Sequence, residues 1–430
     1  MHKHIARRAA VVGVVAVAAA TLAGCGSDGG DGDSSTLTVW TRTDGESYMR
    51  DLAKQYEDAN PGTTVEVTAI PNSEVQQKLG SAISAGDSPD VVAIDVVKAP
   101  FFIAADAFQD VTDQIGALPY AGDLLEGQLD AGTYEGRNFT VPFTADSSVL
   151  FYNKDLFTQA GLDPETPPQT WDEFAAAANA IGALGPDYEG YHFSAGCGGC
   201  AAFALNPMIW AAGGDPIDSA SGSLNPEATF DDPVVVEFVE LLNGMVAGGG
   251  ITTASQVDGG ENYGGSFDSG MLGMVASGSF YLSQLQSTPP DFEVGVATLP
   301  GKTAGEGASF AGGDVLAIPA GSPDPDAAWS FIEWVTGDDA QTHLAEDGFT
   351  PVRTDLYDSV YSAKGPEWAA LAAATLEGRV PYTVAFNALF SDPNGPWVSL
   401  MQAGVFGSDV PAAAEAAQRT AQQIVDEPGQ

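Results

Sequence analysis

Residues 141–174 read VPFTADSSVLFYNKDLFTQAGLDPETPPQTWDEF, and they limit what the chain can fold into more than any other stretch. Residues 149–152 are a brief β-branched and aromatic run bounded by Ser147-Ser148 and Asn153. They are too short for a helix and predict a buried strand. Asn153-Lys154-Asp155 ends it. An apolar helical turn with Leu156, Phe157 and Ala160 follows, Gly161 stops that turn, and residues 164–168 are proline-rich. Thr170-Trp171-Asp172-Glu173 then forms a capping box, in which a hydroxyl and a carboxylate satisfy free N–H groups, so a helix must start there.

The N-terminal third repeats this alternation. Leu37-Thr38-Val39-Trp40 alternates into the polar turn 41–46, and a helix follows with Tyr48, Leu52, Tyr56 and Ala59 on one face, stopped by Asn60-Pro61-Gly62. Residues 64–70 predict a strand. A second helix carries Val75, Leu79, Ala82 and Ile83, and 90–94 predict another strand, ending at Asp95. Repeated β-α-β units imply a largely parallel sheet covered by helices, with ligands at the carboxyl ends of strands. That points to residues 40–44 and 95–98.

Tyr152-Asn153-Lys154-Asp155-Leu156, Ala160-Gly161-Leu162, the prolines and Thr170-Trp171-Asp172-Glu173-Phe174 closely resemble the segment opening the second lobe of extracellular solute-binding proteins of the maltodextrin-binding type. These are the sugar receptors of ABC importers. Ala59-Asn60-Pro61-Gly62 and Ser88-Pro89-Asp90-Val91 resemble the same family's first lobe, and the likeness runs from Leu37 to about Gln423. It implies the α/β, two-lobed periplasmic-binding-protein type II fold, each lobe a mainly parallel sheet covered by helices, with the ligand in the interlobe cleft. The expected division is 37–144 plus about 275–312 for lobe I, and 145–274 plus about 313–430 for lobe II. The expected function is capture of a neutral oligosaccharide or disaccharide and delivery to the ABC permease subunits in the membrane, by a monomer without a cofactor. A receptor for another polyol-like solute such as glycerol phosphate is the alternative, followed by a secreted carbohydrate-active enzyme.

Residues 1–24 carry Lys3, Arg7 and Arg8 before a short run of small apolar side chains, which reads as a secretory signal rather than a spanning helix. It ends in Leu22-Ala23-Gly24-Cys25, which resembles the bacterial lipobox. Cys25 would then carry the lipid that anchors the protein to the outer face of the cytoplasmic membrane. Residues 25–36 are the lipidated cysteine and a polar linker, GSDGGDGDSS over 26–35, expected to be flexible. Its three aspartates lack the ligand spacing of a calcium loop, and no metal is expected. Loss of 1–24 removes three basic and no acidic residues, taking the formal charge from −43 to −46. Such a surface repels nucleic acid and disfavours an anionic ligand. Of the three cysteines, Cys197 and Cys200 remain as a pair in an oxidising compartment, where a structural disulfide is expected. A redox centre or half a zinc site is the alternative.

No nucleophile motif, phosphate loop or metal-ligand cluster stands out. Asp95 and Asp146 could form a glycosidase pair, but any long acidic chain offers such pairs. Sugar binding needs planar polar groups for hydroxyls and aromatic faces for the C–H patches of the ring. The polar candidates are Arg42, Asp44, Asp95, Asp146, Asp314 and Arg353, with Ser277 in a small-residue turn. The ring candidates are Trp40, Phe203, Trp210, Phe280, Tyr281 and Trp397. Gly312-Gly313 suggests a close backbone approach or a hinge. The resemblance implies that Asp146 takes the place of a ligand-binding carboxylate, and that Phe280 stands where many members have tryptophan. Core packing is the alternative for each ring, a helix cap for Asp95 and a surface ion pair for Arg353.

Overall fold

The computed structural model describes residues 35–262 and 264–427, so the signal, Cys25 and most of the linker lie outside the described residues. The strands that position the site are β1 (Ser35–Arg42), β2 (Thr63–Ile70), β3 (Val91–Asp95), β4 (Val141–Ser147), β5 (Val149–Asn153), β6 (Glu189–His192), β7 (Leu272–Ser277), β8 (Val294–Ala297), β9 (Gly307–Ala317) and β10 (Thr350–Pro351). The helices are α1 (Glu46–Ala59), α2 (Val75–Ala85), α3 (Trp171–Gly182), α4 (Gly198–Ala211), α5 (Ser279–Ser287) and α6 (Pro325–Val335).

The first sheet runs β10-β4-β9-β3-β1-β2, and the short strands Leu299–Pro300 and Gly378–Arg379 also pair with β9. The second sheet runs β8-β5-β7-β6. Pairing is parallel between β1, β2 and β3 and between β6 and β7, where helical crossovers return the chain in the same direction. It is antiparallel wherever β4, β5, β8, β9 or β10 takes part in the two main ladders, a detail the β-α-β pattern did not carry. The division of the chain also differs from expectation. Residues 272–277 and 294–297 pair in the second sheet, whereas 314–317 pair with β3 in the first. Helix α6 buries Phe331 and Ile332 in the core that Val39, Leu52, Phe143 and Leu316 build under that first sheet. The reason is that β9 is one long strand. It pairs with Leu299–Pro300, β4 and β3, all in the first sheet, so the chain leaves the second sheet earlier, between Ala297 and Leu299.

Local chemistry explains the element boundaries. Met49, Leu52, Ala53 and Tyr56 are the buried face of α1, and Asn60 ends it by donating its side-chain amide to the Tyr56 carbonyl at 2.9 Å. At α3, Thr170 Oγ1 accepts the Glu173 N–H at 3.2 Å while Glu173 Oε2 accepts the Gln169 N–H at 2.8 Å. The capping box is therefore made, with its reciprocal bond one residue further out. The C-terminal tail is a helix over Val410–Asp426 that buries Ala414, Ala417 and Ala421, and π-helical turns at Asn387–Ser391 and Met401–Val405 precede it. Bulky Phe386, Phe390 and Trp397 pack at these turns against Phe230 and one another.

Candidate functional site

Strands β4 and β9 are neighbours in the first sheet where β4 runs on into β5 of the second, and at this crossing Gly312 is register-paired to Asp146 and Gly313 to Ala145. Gly313 has φ +104, and a Cβ on it would strike the Thr144 carbonyl oxygen, so only glycine fits this close approach. Buried Gln128 fixes the crossing by donating to the carbonyls of Thr144 (2.9 Å) and Gly312 (2.7 Å). The ladder shifts register between Asp314 and Val315, a bulge of the kind that re-aims side chains.

A cavity of about 810 Å³ opens over this crossing. Its floor is Asp146, Gly312 and Gly313. One wall is formed by Arg42, Asn72, Asp95 and Lys98 at the carboxyl ends of the parallel strands, and the other by Phe203, Phe310 and Phe386 with the Cys197–Cys200 loop. The two cysteines form a disulfide.

Arg42 organises the polar wall. Its Nε donates to Asp314 Oδ1 at 2.6 Å, and its Nη1 lies 3.6 Å from Asp44 and 3.9 Å from Asp95. Tyr48 donates to the other Asp314 oxygen at 2.7 Å, so both oxygens of this fully buried carboxylate are engaged inside the protein. Burial disfavours the Arg42 charge, but Asp314 and Asp95 outweigh it and hold the guanidinium protonated. Asp95 accepts the Asn72 side-chain amide at 3.3 Å and the Val97 N–H at 3.4 Å, so it caps the turn after β3 and faces the cavity as well. Lys98 donates to the Asn72 carbonyl, and burial lowers its ammonium below the ordinary lysine value. Asp146 Oδ1 accepts the N–H (3.0 Å) and hydroxyl (3.2 Å) of Ser279 at the start of α5. Burial nevertheless pushes its carboxyl up to about 6.

The expected residues thus separate into groups. Arg42, Asp95, Asp146, Phe203 and Gly313 meet at the cavity, and Asp44 and Asp314 meet Arg42 from behind. Trp40 is half-buried against the core, and Ser277 is buried at the end of β7. Trp210 packs on Phe310 with ring centroids 5.6 Å apart and the planes tilted by 34°, and it lines a separate cavity of about 630 Å³. Phe280 is 47 % exposed in the first turn of α5 and does not line the cavity. Three expected contacts are spent elsewhere. Trp397 is fully buried against Phe230 and Phe390, Tyr281 is buried and donates to Asp268 at 2.6 Å, and Arg353 pairs with Asp338 and Asp355 while lying over the Tyr120 ring. Asn72 was within reach of sequence reasoning, because it follows the carboxyl end of β2 just as Asp95 closes β3. Phe310, Phe386 and Asn387 carried no such signal.

Among the described residues, no helix is long and apolar enough to cross a membrane. The family model for bacterial extracellular solute-binding proteins matches residues 40–342. The diacetylchitobiose binding protein DasA of Streptomyces coelicolor is 27% identical over 401 residues, covering 87% of this chain and 88% of its own. Among solved structures, the sugar-binding protein MalE of Xanthomonas citri matches with a TM-score of 0.79 at 21% identity, covering 91% of this chain and 98% of its own. UgpB of Mycobacterium tuberculosis, solved with glycerophosphocholine, matches with a TM-score of 0.75 at 23% identity, covering 91% and 99%. At such identities the structural likeness establishes the fold, a two-lobed type II periplasmic binding protein. Because the family match spans well over half of its length, this chain belongs to the bacterial extracellular solute-binding proteins.

Proposed function

We propose that the chain captures a neutral saccharide, a disaccharide or longer, in the cavity over the β4–β9 crossing and delivers it to an ABC permease. The observation that carries this reading is the chemistry of that cavity. Asp146, Asp95 and Asn72 offer acceptors and a donor for vicinal hydroxyls on one side, and Phe203, Phe310 and Phe386 offer apolar faces on the other. Such a site discriminates well, because a missing hydroxyl leaves a buried polar group unsatisfied at about 1–3 kcal/mol. Similarity to DasA and to a MalE protein supports the same ligand class.

An anionic solute such as glycerol phosphate fits less well, although a similar structure was solved with glycerophosphocholine. Arg42 and Lys98 are the two basic residues lining the cavity among the described residues; three carboxylates surround the first, and the second already donates to a carbonyl. A phosphate would have to displace these partners and enter beside Asp95 and Asp146. The ligand contacts in this reading are Arg42, Asp95, Asp146 and Phe203, with Gly313 admitting the close backbone approach. Cys25 would anchor the mature monomer to the outer face of the membrane, as the Leu-Ala-Gly-Cys motif implies.

The test is a thermal-shift panel of mono- and oligosaccharides, polyols and glycerol phosphate on purified protein, with release of reducing sugar followed in parallel. A ligand at 100 times its dissociation constant adds about 2.7 kcal/mol of stability. Stabilisation by saccharides without turnover is expected. Stabilisation by glycerol phosphate alone, or steady turnover, would overturn the reading.

A further inference from the structure

The cavity does not end at its own wall. Asn387 and Ala388 line it and also line a second cavity of about 990 Å³. Between the two stands a single amide pair, Asn387 Nδ2 donating to Gln76 Oε1 at 2.7 Å across 311 residues of sequence. Gln76 belongs to α2 beside the first sheet, whereas Asn387 opens the turn whose Phe390 packs on Phe230 and Trp397, so the bond joins the two halves of the molecule. At the far side of the second cavity another bond joins them. Tyr382 donates to the Thr133 carbonyl at 2.7 Å, next to Tyr134, which lines that cavity.

The second cavity has different chemistry from the first. No lysine or arginine is among the described residues that line it. Gln76, Asn225, Thr420 and Gln423 offer amides and a hydroxyl, Phe101 and Tyr134 offer rings, and aliphatic side chains fill between them. The carboxylates Asp106 and Glu427 also line it, which suits a neutral ligand over an anionic one. Each cavity alone falls in the range of roughly 300–1,000 Å³ that holds one small ligand, and the two together exceed it. An amide pair is also a suitable divider. Its two groups hydrogen-bond each other in the empty site and can exchange that bond for sugar hydroxyls at little net cost.

From this juxtaposition we propose that the two cavities are one extended site, in which the Gln76–Asn387 pair is a gate and the second cavity holds the neutral, polyhydroxylated tail of an oligosaccharide whose head lies over Asp146. The proposal rests on the saccharide reading above. It adds that affinity is set by chain length.

The experiment is calorimetry on the full mature chain with two homologous series, β-1,4-linked N-acetylglucosamine and α-1,4-linked glucose, from one to six units. In the series that binds, the tetramer should bind at least tenfold more tightly than the dimer. Phe101→Ala and Asn225→Trp, which trim and fill the second cavity, should each remove that advantage and leave the dimer within twofold of its original affinity. Asn225 is on the exposed rim, so its replacement does not threaten folding. Affinity that is flat from dimer to hexamer, or equal losses for dimer and tetramer in both variants, would overturn the extended site and leave the saccharide reading standing. A folded protein that binds no member of either series and no saccharide of the thermal-shift panel would overturn both.

Discussion

Asp146 and Ser279 are held together across 133 residues by two hydrogen bonds to one carboxylate oxygen, Oδ1, at 3.0 and 3.2 Å. Asp146 is one residue from the end of β4, just before the chain enters β5 of the second sheet, and Ser279 opens a helix, so this pair ties the crossing to α5. The second oxygen is the one that the proposed saccharide would engage. In Asp146→Asn the retained oxygen keeps the Ser279 contacts, while the other acceptor becomes a donor. Hydrogen bonds to charged groups contribute about 1.5–3 kcal/mol, so saccharide affinity at pH 8 should fall roughly tenfold to a hundredfold with little loss of stability. Calorimetry giving unchanged affinity would remove Asp146 from the site.

The same group predicts a pH dependence. Burial raises the folded value to about 6 from 3.8, so the folded state holds the proton more tightly than the unfolded chain. Its contribution to stability is therefore fully present below 3.8 and is lost as pH rises through about 6. A ligand that needs the ionised carboxylate behaves oppositely, binding about tenfold more weakly at pH 5 than at pH 8. Asp146→Asn should abolish that tenfold. Asp215 is likewise raised to about 6, but it lines the separate cavity beside Trp210, so the variant isolates Asp146.

Gly313→Ala tests the crossing itself. The substitution forces a side chain into φ +104 and against the Thr144 carbonyl, which combines backbone strain with overpacking, at about 3 kcal/mol or more. Gly305 has φ +88 with nothing within 4 Å of a Cβ, so Gly305→Ala carries the strain alone, at about 1 kcal/mol. Denaturant unfolding of the two variants should separate them by about 2 kcal/mol. Equal losses would mean that the close approach is not tight.

Local signals made the first lobe legible. Asp95 and Arg42 were found because a parallel strand delivers its carboxyl end to a cleft, and Gly313 because paired glycines mark a backbone that something approaches. Where the site depends on partners distant in sequence, those rules had nothing to act on. Asp314 reads as a ligand contact until Tyr48 and Arg42 are seen to occupy both its oxygens. Trp397, Tyr281 and Arg353 are residue types that suit a sugar site, yet only tertiary packing shows that Phe230, Asp268 and Asp338 already engage them. The lobe boundary failed for a related reason. The paired glycines of β9 mark its close approach to Thr144 within the first sheet, whereas the passage between sheets falls between Ala297 and Leu299, where no local signal marks it.

His192 is a further test of the second half of the molecule. It is buried with Nδ1 3.2 Å from Glu189 Oε2 and Nε2 3.1 Å from Asp258 Oδ2, and Ser194 also donates to Asp258 at 2.6 Å. Burial works against the imidazolium, but the two carboxylates outweigh it and raise its value, while both carboxylates are lowered. The histidine's contribution is fully present below 6.5 and is lost as pH rises through its raised folded value. That of Glu189 is present above 4.5 and is lost as pH falls through its lowered one. Both are complete between about pH 4.5 and 6.5. His192→Leu leaves two buried carboxylates without their cation and should cost about 3–5 kcal/mol, most within that window. Urea midpoints equal to those of the unmodified protein at pH 5.5 would rule out a charged cluster.

The last prediction concerns Cys197 and Cys200, whose disulfide is part of the cavity wall opposite Arg42. Their loop contains four residues, so by chain entropy the bond stabilises by only about 2 kcal/mol, and the protein should stay folded when it is reduced. The local effect should be larger. Cys197 caps α4 through its sulfur, which accepts the Cys200 N–H at 3.3 Å, and the sulfurs lie against Gly260 in the turn that Asp258 secures. Breaking the bond frees that end of α4, which also carries Phe203 into the cavity. Reduction by a mild thiol, and Cys197→Ser with Cys200→Ser, should each weaken saccharide binding several-fold while unfolding shifts by about 2 kcal/mol. Thiol titration of the native protein should find neither cysteine reactive. Affinity unmoved by reduction, with the stability shift present, would show that the disulfide braces the loop without shaping the ligand's wall.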